Sequence, residues 1–385
     1  MFLMWADTFI LIILSLFVLT TFLSHALTWV HLLKRKAPIP PGDLPPISII
    51  KPVRGLDQEA EENFLSFIHS GYPAPFEVIF CVEDRNDPVV PLIQRLIADT
   101  QDLGKAHLIF SKRQDQREIG KTINLMAGIK ESGYEVLVLS DSDVRNTPGF
   151  LEELVCPLSN PRTGMVYACP VYKGARDWVA GLMALSVNET ILALSSAPPF
   201  TAIGSTIAIR KDVLRAIGGL IPIRHRVGID AALGRAVRTK GYRIELMKQP
   251  VTIVHHSSTF TAWWQQIHRW LVTIRLYLGP RYFIILLYGF PIPWATLYLF
   301  LSIYKEKSLQ GMVLWGLILG VRLASLTLIN LIFVKEPNLW RYLWLTPILD
   351  FLKIPLCVEA YINPYVVWRG KRYRVMPDAT VRPVP

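Results

Sequence analysis

The chain has 385 residues, of which 51% are hydrophobic and only 18% are charged, and its mean hydropathy is +0.33. This balance is too apolar for an ordinary soluble domain and predicts membrane segments. The net charge of +11 could indicate nucleic-acid binding, but no basic stripe or nucleic-acid module accompanies it, so we expect basic residues at a membrane surface and no nucleic-acid partner.

The chain begins with an apolar run from about Thr8 to Leu33, which is long enough to cross a hydrocarbon core of about 30 Å. The basic triplet Lys34–Lys36 comes directly after this run, whereas a signal peptide carries its positive charge before the apolar stretch. We therefore interpret residues 1–36 as a retained transmembrane anchor, and the positive-inside rule places the chain after the triplet in the cytoplasm. Residues 37–46 are rich in proline and are predicted to form a stiff linker.

Residues 47–255 alternate short apolar runs with amphipathic stretches, which is typical of an α/β domain with a mostly parallel central sheet. The predicted strands are Ile47–Val53, Val78–Val82, His107–Phe110, Val136–Leu139, Met165–Val171 and Ser205–Ile209. The predicted helices cover residues 57–70, 88–100, 120–132, 148–156 and 212–217. Ligands bind such sheets at the carboxyl ends of the strands, so polar residues just after each apolar run are the candidates for chemistry.

One apolar stretch inside this domain, Trp178–Phe200, contains Asn188 and Glu189 near its middle. A charge at that position costs a spanning helix a few kcal/mol of insertion free energy. We therefore expect a helix at the membrane interface or packed on the domain rather than a membrane span.

The C-terminal third returns to membrane character after an aromatic helix predicted over residues 256–280. Candidate spans within residues 281–362 are Tyr282–Tyr304, Met312–Val334 and Leu343–Tyr361. Three crossings after the domain would place the basic tail, residues 363–385, outside the cytoplasm, although the positive-inside rule places it inside. Asp350, Lys353 and Pro355 interrupt the last candidate, which leaves a re-entrant or interfacial helix as the alternative.

The strongest chemical motif is Asp141-Ser142-Asp143, which directly follows the apolar run Val136–Leu139 and Ser140. Two carboxylates spaced i, i+2 can face one oxygen-preferring cation, and substrate phosphates can fill its remaining coordination positions. Such a cation would neutralise the charge that develops on a departing diphosphate. A solvated turn at the end of a strand is the alternative.

Two upstream residues are candidates for binding a nucleotide. Asp84 follows another apolar run and could accept hydrogen bonds from a base or ribose, or else cap the Asn86–Pro88 turn. Lys121 lies at the start of a predicted helix, where a lysine and free backbone N–H groups suit phosphate, although it could be an ordinary surface lysine.

Two downstream segments complete the set. Asp230 begins a helical stretch predicted over Ala231–Lys240, where an acid could act as a general base or simply serve as a helix N-cap. Gln266 and Arg269 lie three residues apart and share a helix face, so Arg269 can pair with a diphosphate. Trp270 can stack on an acceptor or belong to an interfacial aromatic belt.

Taken together, Asp84, the D-x-D pair, Asp230 and the Q-x-x-R-W motif resemble the D, D, D, Q-x-x-R-W series of inverting glycosyltransferases of the GT-A fold. More specifically, the chain resembles ceramide glucosyltransferases and their bacterial relatives, family 21 of the glycosyltransferases. The resemblance covers nearly the whole chain, and the further matching stretches are Lys51–Asp57, Cys81–Asp84 with Asp87-Pro88, Asn124–Met126, Arg210–Leu214 with Gly218–Leu220, and Trp368–Arg374.

The resemblance implies a UDP-sugar donor with its uridine near Asp84 and Lys121, and Mg²⁺ or Mn²⁺ held on Asp141 and Asp143. It further implies that Asp230 is the general base and that Gln266, Arg269 and Trp270 belong to the donor site, with Arg269 stabilising the leaving diphosphate. One departure is Ile229, which stands where the family usually has a second acid, so the base role falls on Asp230 alone.

The implied reaction is transfer of a sugar, glucose above all, to the primary hydroxyl of a membrane lipid, ceramide above all, with inversion. Some bacterial relatives act on hopanoids with an amino-sugar donor, which is the nearest alternative. A processive polysaccharide synthase or an inactive membrane scaffold of the same fold would be further alternatives. We expect a multi-pass protein of a bacterial inner membrane or a Golgi-type membrane, with its catalytic domain facing the cytoplasm.

Overall fold

The computed structural model describes residues 2–33, 44–101, 105–115, 117–195, 202–283 and 289–384. The basic triplet Lys34–Lys36 and most of the predicted linker therefore lie outside the described residues, as do the last five residues of the Trp178–Phe200 stretch.

Strands and helices alternate along the α/β domain, and helices dominate the two ends of the chain. The strands are β1 (Ile47–Val53), β2 (Phe76–Val82), β3 (Ala106–Phe110), β4 (Val136–Ser140), β5 (Val144–Arg145), β6 (Thr163–Ala168), β7 (Pro170–Lys173), β8 (Thr206–Arg210), β9 (Arg243–Leu246), β10 (Val251–Val254), β11 (Tyr365–Trp368), β12 (Lys371–Val375) and β13 (Val381–Pro383). The helices are α1 (Phe2–Leu33), α2 (Ala60–Ile68), α3 (Val90–Asp99), α4 (Gly120–Glu131), α5 (Phe150–Val155), α6 (Trp178–Asn188), α7 (Thr190–Ser195), α8 (Lys211–Ala216), α9 (Ile229–Thr239), α10 (Phe260–Leu278), α11 (Pro291–Tyr304), α12 (Ser308–Leu328) and α13 (Thr346–Ile362).

The central sheet has seven strands among the described residues, in the order β3-β2-β1-β4-β8-β6-β9. Neighbouring strands are parallel except at β8, which runs antiparallel to both β4 and β6. Strand β1 is buried at every position, as expected for a strand covered on both faces. The predicted α/β class with a mostly parallel sheet is confirmed.

One predicted strand, Met165–Val171, is wrong as a single element. It consists of β6 in the central sheet and β7 in a second sheet of order β5-β10-β7. Pro170 begins β7, and proline has no N–H with which to continue a hydrogen-bonded ladder, so the chain changes sheet at this residue. The backbone N–H of Val251 instead donates to the carbonyl of Cys169 at 2.8 Å.

Helix α4 packs closely on the sheet because Gly128 faces it. A Cβ at this position would lie 2.4 Å from Cγ2 of Ile50 and 2.7 Å from Sγ of Cys81. Only glycine allows this approach, which brings the start of α4 towards the carboxyl end of β4.

The stretch Trp178–Ser195 forms α6 and α7, and most of α6 is buried. Asn188 donates to the backbone carbonyl of Tyr172 at 3.1 Å and to the side-chain oxygen of Asn330 at 3.1 Å. The stretch therefore packs between the α/β domain and the C-terminal helices, which is one of the two arrangements expected for it.

Three described helices are long and apolar enough to cross a membrane: Trp5–Leu33, Trp178–Ser195 and Ser308–Val334. Helix α11 has 14 residues, which at 1.5 Å per residue is about 21 Å, shorter than a hydrocarbon core of about 30 Å. The predicted span Leu343–Tyr361 is not among the candidates within the described residues. It is instead a 3₁₀ segment, Pro337–Leu345, followed by α13, which carries the three interrupting residues.

The C-terminal tail lies on the α/β domain. Strands β11, β12 and β13 form an antiparallel sheet, and the N–H of Val381 donates to the carbonyl of His225 at 2.8 Å. The basic tail therefore contacts the α/β domain directly. The sequence left open whether the last candidate, Leu343–Tyr361, crosses the membrane or is re-entrant or interfacial, and the contact of the tail with the domain favours the second arrangement.

Candidate active site

The D-x-D pair lies in the loop between β4 and β5, at the carboxyl end of a central strand. The N–H of Asp141 donates to the carbonyl of Ser205 at 2.9 Å, which ties the loop to the residue before β8. The Asp141 carboxylate pairs with Nζ of Lys121 at 2.5 Å. The sequence placed these two residues at a strand end and a helix start, and the structure brings them into contact.

Asp143 points inwards, and its Oδ1 atom is buried without a hydrogen-bond partner. Burial, together with the nearby charges of Asp141 and Asp57, raises the pKa of the Asp143 carboxyl to about 7. A buried carboxylate oxygen without a partner beside a second carboxylate fits a hard divalent cation such as Mg²⁺ or Mn²⁺. No group of three or more acidic, His or Cys side chains suited to a metal occurs in the described part of the chain, so this pair would need oxygens from a ligand.

Asp230 lies in the first turn of α9, next to Gly228 at φ 64°. A Cβ at Gly228 would lie 2.6 Å from Cγ2 of Thr273, so this glycine lets α9 approach α10. The N–H of Gly204 donates to Oδ2 of Asp230 at 3.0 Å. Burial raises the pKa of the Asp230 carboxyl, although the Lys121 charge and backbone N–H groups oppose this shift.

Helix α10 supplies the Q-x-x-R-W residues. Nη2 of Arg269 donates to Oε1 of Gln266 at 2.8 Å, so the two residues share a face as their spacing predicts. Burial lowers the pKa of the Arg269 guanidinium to about 10, and this group remains within electrostatic range of Asp141 and Asp230. Trp270 stands edge-on to the Tyr172 ring, with centroids 6.4 Å apart, and packs against the hydrophobic core.

Asp84 follows β2 as predicted, but its exposed side chain accepts a hydrogen bond from the N–H of Asn86 at 2.9 Å. This is the turn-capping arrangement that its sequence also allowed. Its neighbour Glu83 pairs with Arg113 through two contacts of 2.7 and 2.8 Å. The role of Asp84 towards uridine stays a prediction.

Lys51 was not singled out as a candidate, yet it is fully buried beneath the D-x-D loop. Its Nζ donates to the backbone carbonyl of Asp141 at 2.8 Å and lies 3.8 Å from the Phe67 ring centroid. Burial lowers the pKa of this amine to about 7, with the opposite charges of the nearby aspartates resisting the shift. A lysine inside an otherwise apolar strand was the available signal, since buried lysines are rare without a partner.

Asp57 and Arg369 were also missed as site residues. The Ser142 hydroxyl donates to Oδ2 of Asp57 at 2.5 Å, and Nη1 of Arg369 lies 3.0 Å from Oδ1 of the same carboxylate. The loop after β1 and the C-terminal tail therefore meet at the D-x-D loop. Both residues belong to stretches that resemble the family, but their spacing gives no sign of this contact.

One site thus gathers acids and cations from six segments of the chain: the β1 strand with the loop that follows it, α4, the D-x-D loop, α9, α10 and the C-terminal tail. Lys121 lies in electrostatic range of Asp141, Asp143 and Asp230, although burial opposes its charge. The cations suit a ligand that carries a diphosphate, and the buried carboxylate of Asp230 suits a second ligand that brings a reacting hydroxyl group.

The chain is similar to known glycosyltransferases over most of its length. The family model described as glycosyl transferase family 21 matches residues 8–381. Ceramide glucosyltransferase 1 of Caenorhabditis elegans is 22% identical over 98% of this chain and 82% of its own length. Ceramide glucosyltransferase of Candida albicans is 31% identical over 29% of this chain and 22% of its own length.

Among solved structures, the chain is similar to the mannosyltransferase PcManGT from Pyrobaculum calidifontis, solved in complex with GDP-Man and Mn²⁺. The TM-score is 0.49 at 16% identity, over 91% of this chain and 99% of that one.

Proposed function

The chain belongs to glycosyl transferase family 21, and from this premise we propose that it transfers glucose from UDP-glucose to the primary hydroxyl of ceramide, inverting the anomeric centre. The observation that carries the proposal is the convergence of Asp230, Lys121 and Arg269 on the D-x-D pair. The ceramide glucosyltransferases that the chain resembles support the choice of sugar and lipid.

In this proposal Asp230 is the general base. Its carboxylate takes the proton from the lipid hydroxyl while the oxygen attacks the anomeric carbon and the bond to the diphosphate breaks. The hydrogen bond from Gly204 holds the carboxylate in place, and burial raises its pKa towards the range where a base is most effective. Attack from the face opposite the diphosphate gives inversion.

The leaving UDP requires positive charge. Arg269 and Lys121 would contact the diphosphate, with Gln266 fixing the Arg269 guanidinium through the hydrogen bond of 2.8 Å. Asp141 and Asp143 would hold Mg²⁺ or Mn²⁺, which when bound neutralises charge on the departing diphosphate. Lys121 pairs with Asp141 in the structure and would exchange this partner for the donor.

The membrane helices support a lipid acceptor. Helix α1 packs against α11 and α7, and α6 packs between the α/β domain and the C-terminal helices. The apolar helices therefore adjoin the domain that carries the candidate site. An acceptor hydroxyl could then reach Asp230 while its alkyl chains stay in the bilayer. On this view the protein is a multi-pass membrane enzyme whose α/β domain and C-terminal tail face the cytoplasm.

The test is a product analysis. Purified protein in lipid nanodiscs is incubated with Mn²⁺, with labelled UDP-glucose, UDP-galactose or UDP-N-acetylglucosamine, and with ceramide, diacylglycerol or a hopanoid, and products are identified by mass spectrometry. We expect β-glucosylceramide. A glycosylated hopanoid would show that the acceptor is a hopanoid and not ceramide, and a long polymer would indicate a processive synthase. The absence of UDP release with any lipid would refute the proposed transferase activity.

A further inference from the structure

The C-terminal hairpin β11–β12 presents an arginine to the candidate donor site. Trp368 pairs with Lys371, so Arg369 and Gly370 form a two-residue loop, and both have positive φ, 49° and 76°. Such loops favour Asn-Gly or Gly-Gly, because the left-handed backbone region is costly for most side chains. An arginine at the first position therefore suggests that its side chain serves a purpose.

The guanidinium of Arg369 reaches Asp57 through two contacts, at 3.0 and 3.3 Å. Asp57 in turn accepts the hydrogen bond from Ser142, the middle residue of the D-x-D motif. Arg369 is also within electrostatic range of Asp141 and Asp143. The hairpin tip thus contacts the D-x-D loop through Asp57 and lies near the two carboxylates that would hold the metal.

The same hairpin contacts the residue proposed to bind the diphosphate. The Arg269 guanidinium lies 4.9 Å from the Trp368 ring centroid, and Trp368 directly precedes Arg369 in the hairpin. Two guanidinium groups and Lys121 therefore border one site. A planar guanidinium binds two phosphate oxygens at once, and two of them beside a lysine match a diphosphate.

The Arg369–Asp57 pair is not what holds the hairpin in place. The tail is fixed by backbone hydrogen bonds to Val227 and His225 and by an apolar cluster that includes Val366, Tyr373 and Val381. The Arg369 side chain is 45% exposed and the Asp57 side chain 15% exposed, and an ion pair with one solvent-exposed partner contributes only modestly to stability.

We propose that Arg369 binds the diphosphate of the donor together with Arg269, and that Asp57 holds the Arg369 guanidinium in position until the donor arrives. This inference rests on the proposed function and adds the C-terminal tail to its donor site. It explains why a tail that follows the membrane helices returns to the α/β domain.

Nucleotide binding to the full-length protein in detergent tests the proposal, measured by calorimetry with Mn²⁺ and either UDP or uridine. Arg369→Gln should weaken UDP binding at least tenfold and leave uridine binding unchanged, because uridine has no phosphate. Arg369→Lys, which keeps the charge and loses the planar fork, should show a smaller loss. Arg372→Gln is the matched control, because this substitution removes the same charge from an exposed position on the same hairpin.

Asp57→Asn separates a ligand-binding role from a structural one. Freed from Asp57, Arg369 should bind UDP at least as tightly as in the wild type. If the pair only positioned the hairpin, Asp57→Asn and Arg369→Gln would lose UDP and uridine binding alike, and the proposal would be refuted. Melting temperatures within about 2 °C of the wild type exclude unfolding as the cause, and the milder Arg369→Lys variant carries the test if Arg369→Gln does not fold.

The inference and the proposed function fail differently. A wild type that binds neither UDP nor GDP with Mn²⁺ would overturn both. A wild type that binds UDP, with an unchanged Arg369→Gln variant, would overturn only the role of Arg369.

Discussion

Two charged clusters in this protein obey different rules, one at the carboxyl ends of the central strands and one among the membrane-facing helices. In the second cluster, Glu189 pairs with Arg322 at 2.7 Å and with Lys353, and Arg322 pairs with Asp350 at 3.0 Å. Every charge there has an ion-pair partner of opposite sign, although Nε of Arg322 and Oδ2 of Asp350 have no hydrogen-bond partner among the described residues. In the first, Asp143 forms no ion pair within the described part of the chain, and Lys121 and Arg369 pair with Asp141 and Asp57, carboxylates that a donor could replace.

The two clusters differ in how far ion pairing offsets the free-energy cost of removing their charges from water. Charges in an apolar environment persist only when they are paired, so the membrane cluster fixes α6 against α12 and α13. The strand-end cluster leaves its pairing incomplete, and the incomplete part is where a metal and a diphosphate would bind. Four predictions test this contrast, in order of decreasing effect.

Asp230→Asn should have the largest effect on turnover and almost none on structure. Removing the general base is expected to lower transfer by about 10²- to 10⁴-fold while UDP binding persists. Steady-state kinetics and calorimetry on the same preparation measure the two effects. Asp212→Asn is the matched control, because Asp212 also lies in the first turn of a helix but is exposed. Normal turnover in Asp230→Asn would remove the base assignment.

Arg322→Met should have the largest effect on stability. It leaves Asp350, which is fully buried, without its partner, and breaking a buried pair costs about 3–5 kcal/mol. The melting temperature in detergent should fall sharply. Adding Asp350→Leu should restore much of the loss, since replacing both partners by apolar side chains is often neutral. A double variant as unstable as Arg322→Met alone would contradict the pairing argument.

Gly128→Ala and Gly320→Ala compare packing in the two regions. The added methyl at Gly128 meets Ile50 and Cys81 and should cost about 1–3 kcal/mol through overpacking. Gly320 has no atom within 4 Å of its Cβ position, so alanine there should change stability by no more than about 1 kcal/mol, in the stabilising direction. Thermal unfolding of both variants measures the difference, and equal losses would be inconsistent with it.

Asp143→Ala should act on metal-dependent binding alone. Loss of one of two carboxylate ligands is expected to weaken UDP binding with Mn²⁺ by about tenfold, equal to about 1.4 kcal/mol, and to leave metal-free binding nearly unchanged. Calorimetry with and without Mn²⁺ gives the comparison. Asp115→Ala, which removes a partly exposed carboxylate paired with Arg117, is the control. A loss of equal size without metal would argue against a metal ligand.

Much of the fold could be read from the residues. The strand β1 has the predicted bounds, and alternation of apolar runs with amphipathic stretches is sufficient to predict parallel strands with helices between them. The sequence also indicated which helices could cross a membrane. The apolar length of the first helix and the charges in Trp178–Phe200 and in α13 are local properties that can be read without the fold.

The sequence by itself determined the family, the α/β class, the long apolar helix at the start and the order of the candidate residues along the chain. Only the tertiary structure decided which distant groups meet: Lys51 under Asp141, and Arg369 on Asp57 across 312 positions of sequence. It also decided that the basic tail packs on the α/β domain. The physical reason is that contacts of this kind depend on sheet order, helix packing and hairpin geometry, and residue spacing does not encode these.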